Sequence, residues 1–159
     1  MRLRNQLGGR MVFVDLRSAD PDGAFREIAD SLAPVCRERT CGDLYGQLKG
    51  WLDAGRPGIA RGVALPHARC AGISGNALCL ARSAAGIDFG GANEGPVTII
   101  AAVLTPAGEH ARHLTVLARL ARLLRESSLR ARILNSPGPE ERARALEDAD
   151  EAAVLNEAP

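Results

Sequence analysis

Residues 97 to 104 read VTIIAAVL, a run in which, Thr98 apart, both alternating faces are apolar. A strand of that kind offers neither face to water, so it belongs in the centre of a sheet covered by helices on both sides. Other segments supply its neighbours. MVFVDL at 11–16 alternates weakly and is rich in branched residues, NALCLA at 76–81 is a second clear strand, and VAL at 63–65 stops at Pro66. The turn-rich GIDFGGANEG contains Ile87 and Phe89, which read as a short edge strand. Aromatic residues make up only 3%, so Leu, Ile, Val and Ala have to fill the core, which suits helices packed on a buried sheet. Strands interleaved with helices define the α/β class, and a chain of 159 residues is expected to form a single domain spanning 1–159.

The helices announce themselves by caps and periodicity. Ser18, Asp20 and Pro21 open one whose Phe25, Ile28 and Leu32 recur at spacings of three and four until Pro34 intervenes. Thr40 followed by Asp43 resembles a capping box with Asp in place of Glu, and starts a second helix with Leu44, Leu48, Trp51 and Leu52 on one face, ended by Gly55 and Pro57. After TPAGE, Leu114, Leu117, Ala121 and Leu124 follow the 3.6-residue period. SPGPEE then marks a break before a terminal helix of alternating charge, ERARALEDADEAAVL, whose last residues are expected to fray.

Charge and motif content exclude several kinds of protein. Lysine and arginine total 20 against 19 acidic residues, a balance that does not suit a nucleic-acid binder resting on phosphate neutralisation, and so few aromatics do not build base-stacking platforms. No apolar run approaches the roughly 20 residues of a membrane span, and the opening MRLRNQLGG has positive charge without an apolar h-region, so direct membrane insertion is not expected. Cys36, Cys41, Cys70 and Cys79 lack C-x-x-C spacing, consistent with reduced structural thiols and a cytoplasmic location. Neither a P-loop nor G-x-S-x-G is present, which argues against nucleotide-driven transfer and against a serine hydrolase.

Chemistry then falls to the three histidines, His67, His110 and His113. His67 follows a proline at the end of an apolar segment, where α/β proteins tend to place ligand sites. His113 comes soon after the central strand, in the first turn of a helix whose unpaired N–H groups and dipole favour an anion. Two histidines at neighbouring strand ends can share one phosphoryl group. A metal site using Cys70 as a third ligand has the H-x-x-C spacing but no H-E-x-x-H and no second close pair, so no metal and no cofactor are expected.

GIARGVALPHAR, the turn region SAAGIDFGG and the stretch VTIIAAVLTPAGEHARHLTVLARLARLL, in this order, resemble the enzyme IIA domain of the mannitol/fructose class of the bacterial phosphotransferase system. That class includes the stand-alone nitrogen-regulatory IIA proteins. The resemblance runs from about residue 5 to 147 and rests above all on the G-[IV]-A-[IL]-P-H motif. It implies a mixed central sheet, of about five strands, with helices on both faces. It implies that His67 is the nucleophile, through Nε2, accepting a phosphoryl group from a phosphorylated histidine-containing carrier protein. It also places the family's second site histidine at His113 rather than His110, as a hydrogen-bonding partner of the phosphoryl oxygens. No metal or nucleotide is implied, and positioning with charge stabilisation suffices for such a transfer.

The chain departs from the family pattern just ahead of the motif. Family members usually carry an Arg-Glu pair in the preceding helix and Ser-Thr before G-[IL]-G-N-G. Here the Arg position falls on Trp51, the Thr on Pro57 and the Asn on Arg61. An indole has one N–H and no charge, so it does not replace a bidentate guanidinium, and Trp51 reads as core packing. Arg56, Arg61 and Arg69 are the candidates for a replacement cation. The resulting expectation is a regulatory phosphocarrier of the nitrogen type acting on protein targets. Its alternatives are a binding module that is no longer phosphorylated, and a sugar-uptake IIA passing phosphate to a separate IIB domain.

Overall fold

The structure, a computed structural model, describes residues 2–38, 40–55, 61–90 and 95–157. The run at 97–104 is the heart of strand β5 (Val97–Pro106), and it takes the central role that its two apolar faces require. On one side it pairs antiparallel with β4 (Ala77–Ile87), which in turn pairs parallel with β1 (Met11–Asp15). On the other side it pairs parallel with two short strands, β2 (Val63–Ala64) and β3 (His67–Cys70). Val63 lies opposite Ile99 and His67 opposite Val103, so β2 and β3 keep one register and form one edge strand interrupted at Leu65–Pro66. The interruption has a chemical cause. The Pro66 carbonyl accepts from the Val103 N–H at 2.9 Å, but proline has no N–H to return, and such a gap is tolerated at a sheet edge.

Helices cover both faces. Over one lie α2 (Pro21–Leu32) and α3 (Cys41–Asp53), burying Phe25, Ile28, Leu44, Leu48 and Trp51 against Ala64, Cys70, Ile100, Ala102 and Leu104. Over the other lie α1 (Leu3–Leu7), α4 (His110–Leu124), α5 (Ser127–Asn135) and α6 (Pro139–Glu157), with Val116, Leu120, Leu123, Ile133 and Leu146 against Val63, Leu65, Ile99, Ala101 and Val103. The α/β class and the mixed five-stranded sheet agree with the expectation. So do the first two helix starts. The Asp20 side chain accepts from the Gly23 N–H at 2.8 Å, and Thr40 and Asp43 form the reciprocal box, Asp43 N–H to Thr40 Oγ1 and Thr40 N–H to Asp43 Oδ2, each 3.2 Å.

Four readings change. Ile87 does not begin an edge strand: it ends β4 beyond a bulge and pairs with Val97, and Phe89 lies outside the strands as part of the aromatic core. The buried stripe of α4 is His113, Val116, Leu120, Leu123 and Leu124, while Leu114 is 54% exposed and Ala121 faces solvent. Two overlapping 3.6-period stripes exist in this leucine- and alanine-rich helix, and contact with β5 selects the one that carries His113. The stretch after α4 forms a separate helix, α5, and α1 was not anticipated. α1 is held from outside its own sequence: Leu3 and Leu7 are buried and the Leu3 N–H donates to the Asp150 carboxylate at 2.7 Å. Among the described residues, no helix is long and apolar enough to cross a membrane.

Candidate functional site

The period of two along the β2–β3 edge decides which side chains reach the site. Val63 and Leu65 face the α4 side and Ala64, Ala68 and Cys70 the α3 side, so His67 and Arg69 project toward α4. On β5 the same alternation puts Thr105, which lies opposite Arg69, on the α4 side beyond Val103. The first turn of α4 brings His113 onto this corner. The two imidazoles meet with ring centroids 5.4 Å apart and planes inclined at 56°.

Each ring is held through Nδ1. His67 Nδ1 lies 2.7 Å from the Leu65 carbonyl oxygen. A carbonyl only accepts, so His67 donates N–H from Nδ1, and the neutral ring keeps its lone pair on Nε2. His113 Nδ1 lies 2.6 Å from the hydroxyl of fully buried Thr105. His113 itself is only 6% exposed. Burial, then the neighbouring His67, Arg69 and His110, push its pKa below the ordinary imidazole value and favour the neutral ring. Its backbone N–H is bonded to the Glu109 carbonyl at 2.9 Å, so what His113 offers the site is its side chain.

The arginine candidates separate. Arg69 stands at the site, exposed, and Nη1 donates to His110 Nδ1 at 3.1 Å, which draws the third histidine to the rim. Arg61 occupies the turn before β2, exposed and in the left-handed region at φ 56°. Arg56, like Pro57, lies outside the described residues. Trp51 is committed elsewhere. It is 5% exposed and packs on Phe25 and Phe89 (centroids 5.9 and 6.3 Å), on the opposite face of the sheet from His67. The core reading of Trp51 therefore agrees with its burial. Cys70, weighed as a third metal ligand, also points away from His67, because residues three apart on a strand face opposite sides. Sequence reasoning overlooked Thr105 and gave His110, weighed against His113, no role. The only signal for Thr105 was a hydroxyl closing an otherwise apolar run eight residues before His113.

Fold and site together define an α/β protein carrying a histidine pair at the edge of a mixed sheet. The chain belongs to the family described as "Phosphoenolpyruvate-dependent sugar phosphotransferase system, EIIA 2", which matches residues 6–149. Over 79 residues it is 33% identical to the "PTS system fructose-specific EIIA component" of Haloferax volcanii, covering 50% of this chain and 51% of that protein. Over 75 residues it is 36% identical to the "Nitrogen regulatory protein" of Bradyrhizobium diazoefficiens, covering 47% of this chain and 49% of that one. The chain thus spans about half the length of these relatives. Its fold is shared with the nitrogen regulatory protein IIA-Ntr from Neisseria meningitidis, at a TM-score of 0.79 and 24% identity over 87% of this chain and 97% of that one. It is shared also with a complex of enzyme IIA-mannitol and phosphorylated enzyme IIB-mannitol from Escherichia coli, at a TM-score of 0.69 and 13% identity over 86% and 93%.

Proposed function

We propose that this IIA-family protein is a phosphocarrier of the nitrogen-regulatory type, and that His67 accepts a phosphoryl group from the phosphohistidine of a carrier protein. The observation that carries this reading is the 2.7 Å contact between His67 Nδ1 and the Leu65 carbonyl, which leaves the Nε2 lone pair as the nucleophile. In the transfer, a bond forms between His67 Nε2 and phosphorus while the bond from phosphorus to the carrier's imidazole nitrogen breaks. The departing ring recovers its lone pair. His113, neutral and one ring away, has room to donate to the phosphoryl oxygens, and Arg69 at the rim supplies positive charge in place of the family arginine. Arg61 and Arg56 are the further cation candidates. Phosphorylation adds charge at an accessible edge, and regulatory target proteins read that change. The same reading treats residues 1–159 as one IIA domain acting in the cytoplasm.

Two observations favour different readings. Burial of Trp51 where the family arginine is expected favours a binding module that is not phosphorylated. The likeness to a fructose-specific EIIA component favours a sugar-uptake IIA that passes phosphate to a IIB domain. Incubation with the phosphorylated carrier separates all three. The proposal requires an acid-labile phosphoryl mass on wild type that His67→Ala lacks; no transfer, or transfer that survives His67→Ala, refutes it. Onward transfer to a IIB domain identifies the sugar-uptake type.

A further inference from the structure

We infer that Thr105 is a positioning residue: its hydroxyl donates to His113 Nδ1 and so holds the His113 proton on Nε2, aimed at the phosphoryl group on His67. The inference rests on the function proposed above.

The direction of the Thr105–His113 bond follows from two constraints. Thr105 is fully buried in β5, and among the described residues its hydroxyl has no hydrogen-bond partner besides His113 Nδ1 at 2.6 Å. If the imidazole donated and the hydroxyl accepted, the hydroxyl proton would be left in the interior without an acceptor, an arrangement that folded proteins avoid. If the hydroxyl donates, its single proton is used. The second constraint comes from the other end of the pair. The Leu65 carbonyl fixes the His67 proton on Nδ1, so His67 Nε2 carries a lone pair. Burial first, then the neighbouring His67, Arg69 and His110, favour a neutral His113 ring, which has only one proton to place. With the proton on Nδ1, both rings would offer bare nitrogens to the site, and neither would donate to a phosphoryl oxygen. With it on Nε2, the polarity runs one way from the Thr105 hydroxyl through His113 to the site, and from His67 to the Leu65 carbonyl.

The bond also bears on orientation. Thr105 lies opposite Arg69 in the β3–β5 register, and His113 belongs to α4. A branched side chain restricted at χ1 on the central strand therefore sets the ring angle of a residue on a neighbouring helix. Loss of the hydroxyl leaves the ring packed and buried but lets both tautomers populate, and only one of them donates to the phosphoryl group.

The test uses the full chain with ¹⁵N-labelled histidine, as wild type, Thr105→Val and Thr105→Ser. Ring ¹⁵N shifts of the unphosphorylated proteins report the tautomer directly, and phosphoryl transfer from the phosphorylated carrier reports the consequence. The expected result is an Nε2–H tautomer at His113 in wild type and Thr105→Ser, with a near-even mixture in Thr105→Val and transfer slowed about twofold there alone, because only the Nε2–H fraction donates. Urea midpoints of the two variants distinguish loss of the hydroxyl from loss of fold. An Nδ1–H tautomer in wild type overturns the inference, whether or not His67 is phosphorylated. So does a Thr105→Val variant that keeps both the wild-type tautomer and the wild-type rate. Absence of transfer in wild type refutes the function reading instead, and the tautomer shifts still decide what Thr105 does to His113.

Discussion

Replacing Trp51 by arginine restores the residue that the family resemblance implies at this position, and the fold predicts that the substitution fails. The indole is 5% exposed, with Phe25 at 5.9 Å and Phe89 at 6.3 Å between centroids. Truncating such a side chain to alanine costs about 3–5 kcal/mol, part of it the aromatic pair contacts of about 0.5–1.5 kcal/mol each. The indole N–H has no hydrogen-bond partner among the described residues, so no polar contact there offsets its burial. Trp51→Phe keeps an aromatic ring and removes an unpaired donor, so only the volume lost with the second ring counts against it, a cost of about 1 kcal/mol. Trp51→Arg removes the same contacts and leaves a guanidinium among Phe25, Phe89 and Leu48, so it destabilises at least as much as alanine. With a urea m-value of about 2 kcal/mol/M, the alanine and arginine midpoints fall by about 2 M and the phenylalanine midpoint by about 0.5 M. Trp51 is the only tryptophan, so unfolding of the variants is followed by circular dichroism. An arginine variant that unfolds at the wild-type midpoint and accepts phosphate faster would refute the assignment of Trp51 to the core.

The other predictions concern charge and backbone. His113 titrates below its ordinary value of 6.5 in the folded protein, so the unfolded chain binds its proton first as pH falls. Its contribution to stability is complete above about pH 6.5, declines as pH drops through that value, and levels off below the folded pKa; urea midpoints at a series of pH values should show a decline that flattens in His113→Asn. Arg61 holds φ 56°, a conformation that costs a side chain with Cβ about 1 kcal/mol and that asparagine tolerates. Arg61→Asn should raise the melting temperature by about 2 °C in a thermal scan, and an unchanged or lower value contradicts the strain argument.

Legibility of the fold tracked how local its causes are. The central strand was readable because two apolar faces dictate burial on both sides, and the starts of α2 and α3 because capping groups lie within three residues of what they cap. The buried face of α4 was misassigned, since the choice between its two stripes depends on packing against β5 and not on the helix's own periodicity. α1 escaped notice because a carboxylate at residue 150 holds its first turn. The histidine pair was legible through a motif, not through physics alone. The Nδ1 partner of each ring, a backbone carbonyl for His67 and a buried hydroxyl for His113, became visible only once the fold brought the groups together. Arg69 was one of three arginine candidates until the alternation of β3 put it on the side of His67 that faces α4.

The central claim is that His67 Nε2 is the phosphoryl acceptor, made available by the bond from Nδ1 to the Leu65 carbonyl. The most direct measurement is ³¹P and ¹⁵N NMR of the full chain, labelled with ¹⁵N-histidine and phosphorylated by its carrier protein. The account predicts one phosphohistidine, at residue 67, with phosphorus coupled to Nε2 and the Nδ1 proton retained. A phosphoryl group on Nδ1 of His67, on His110 or on His113 would contradict it.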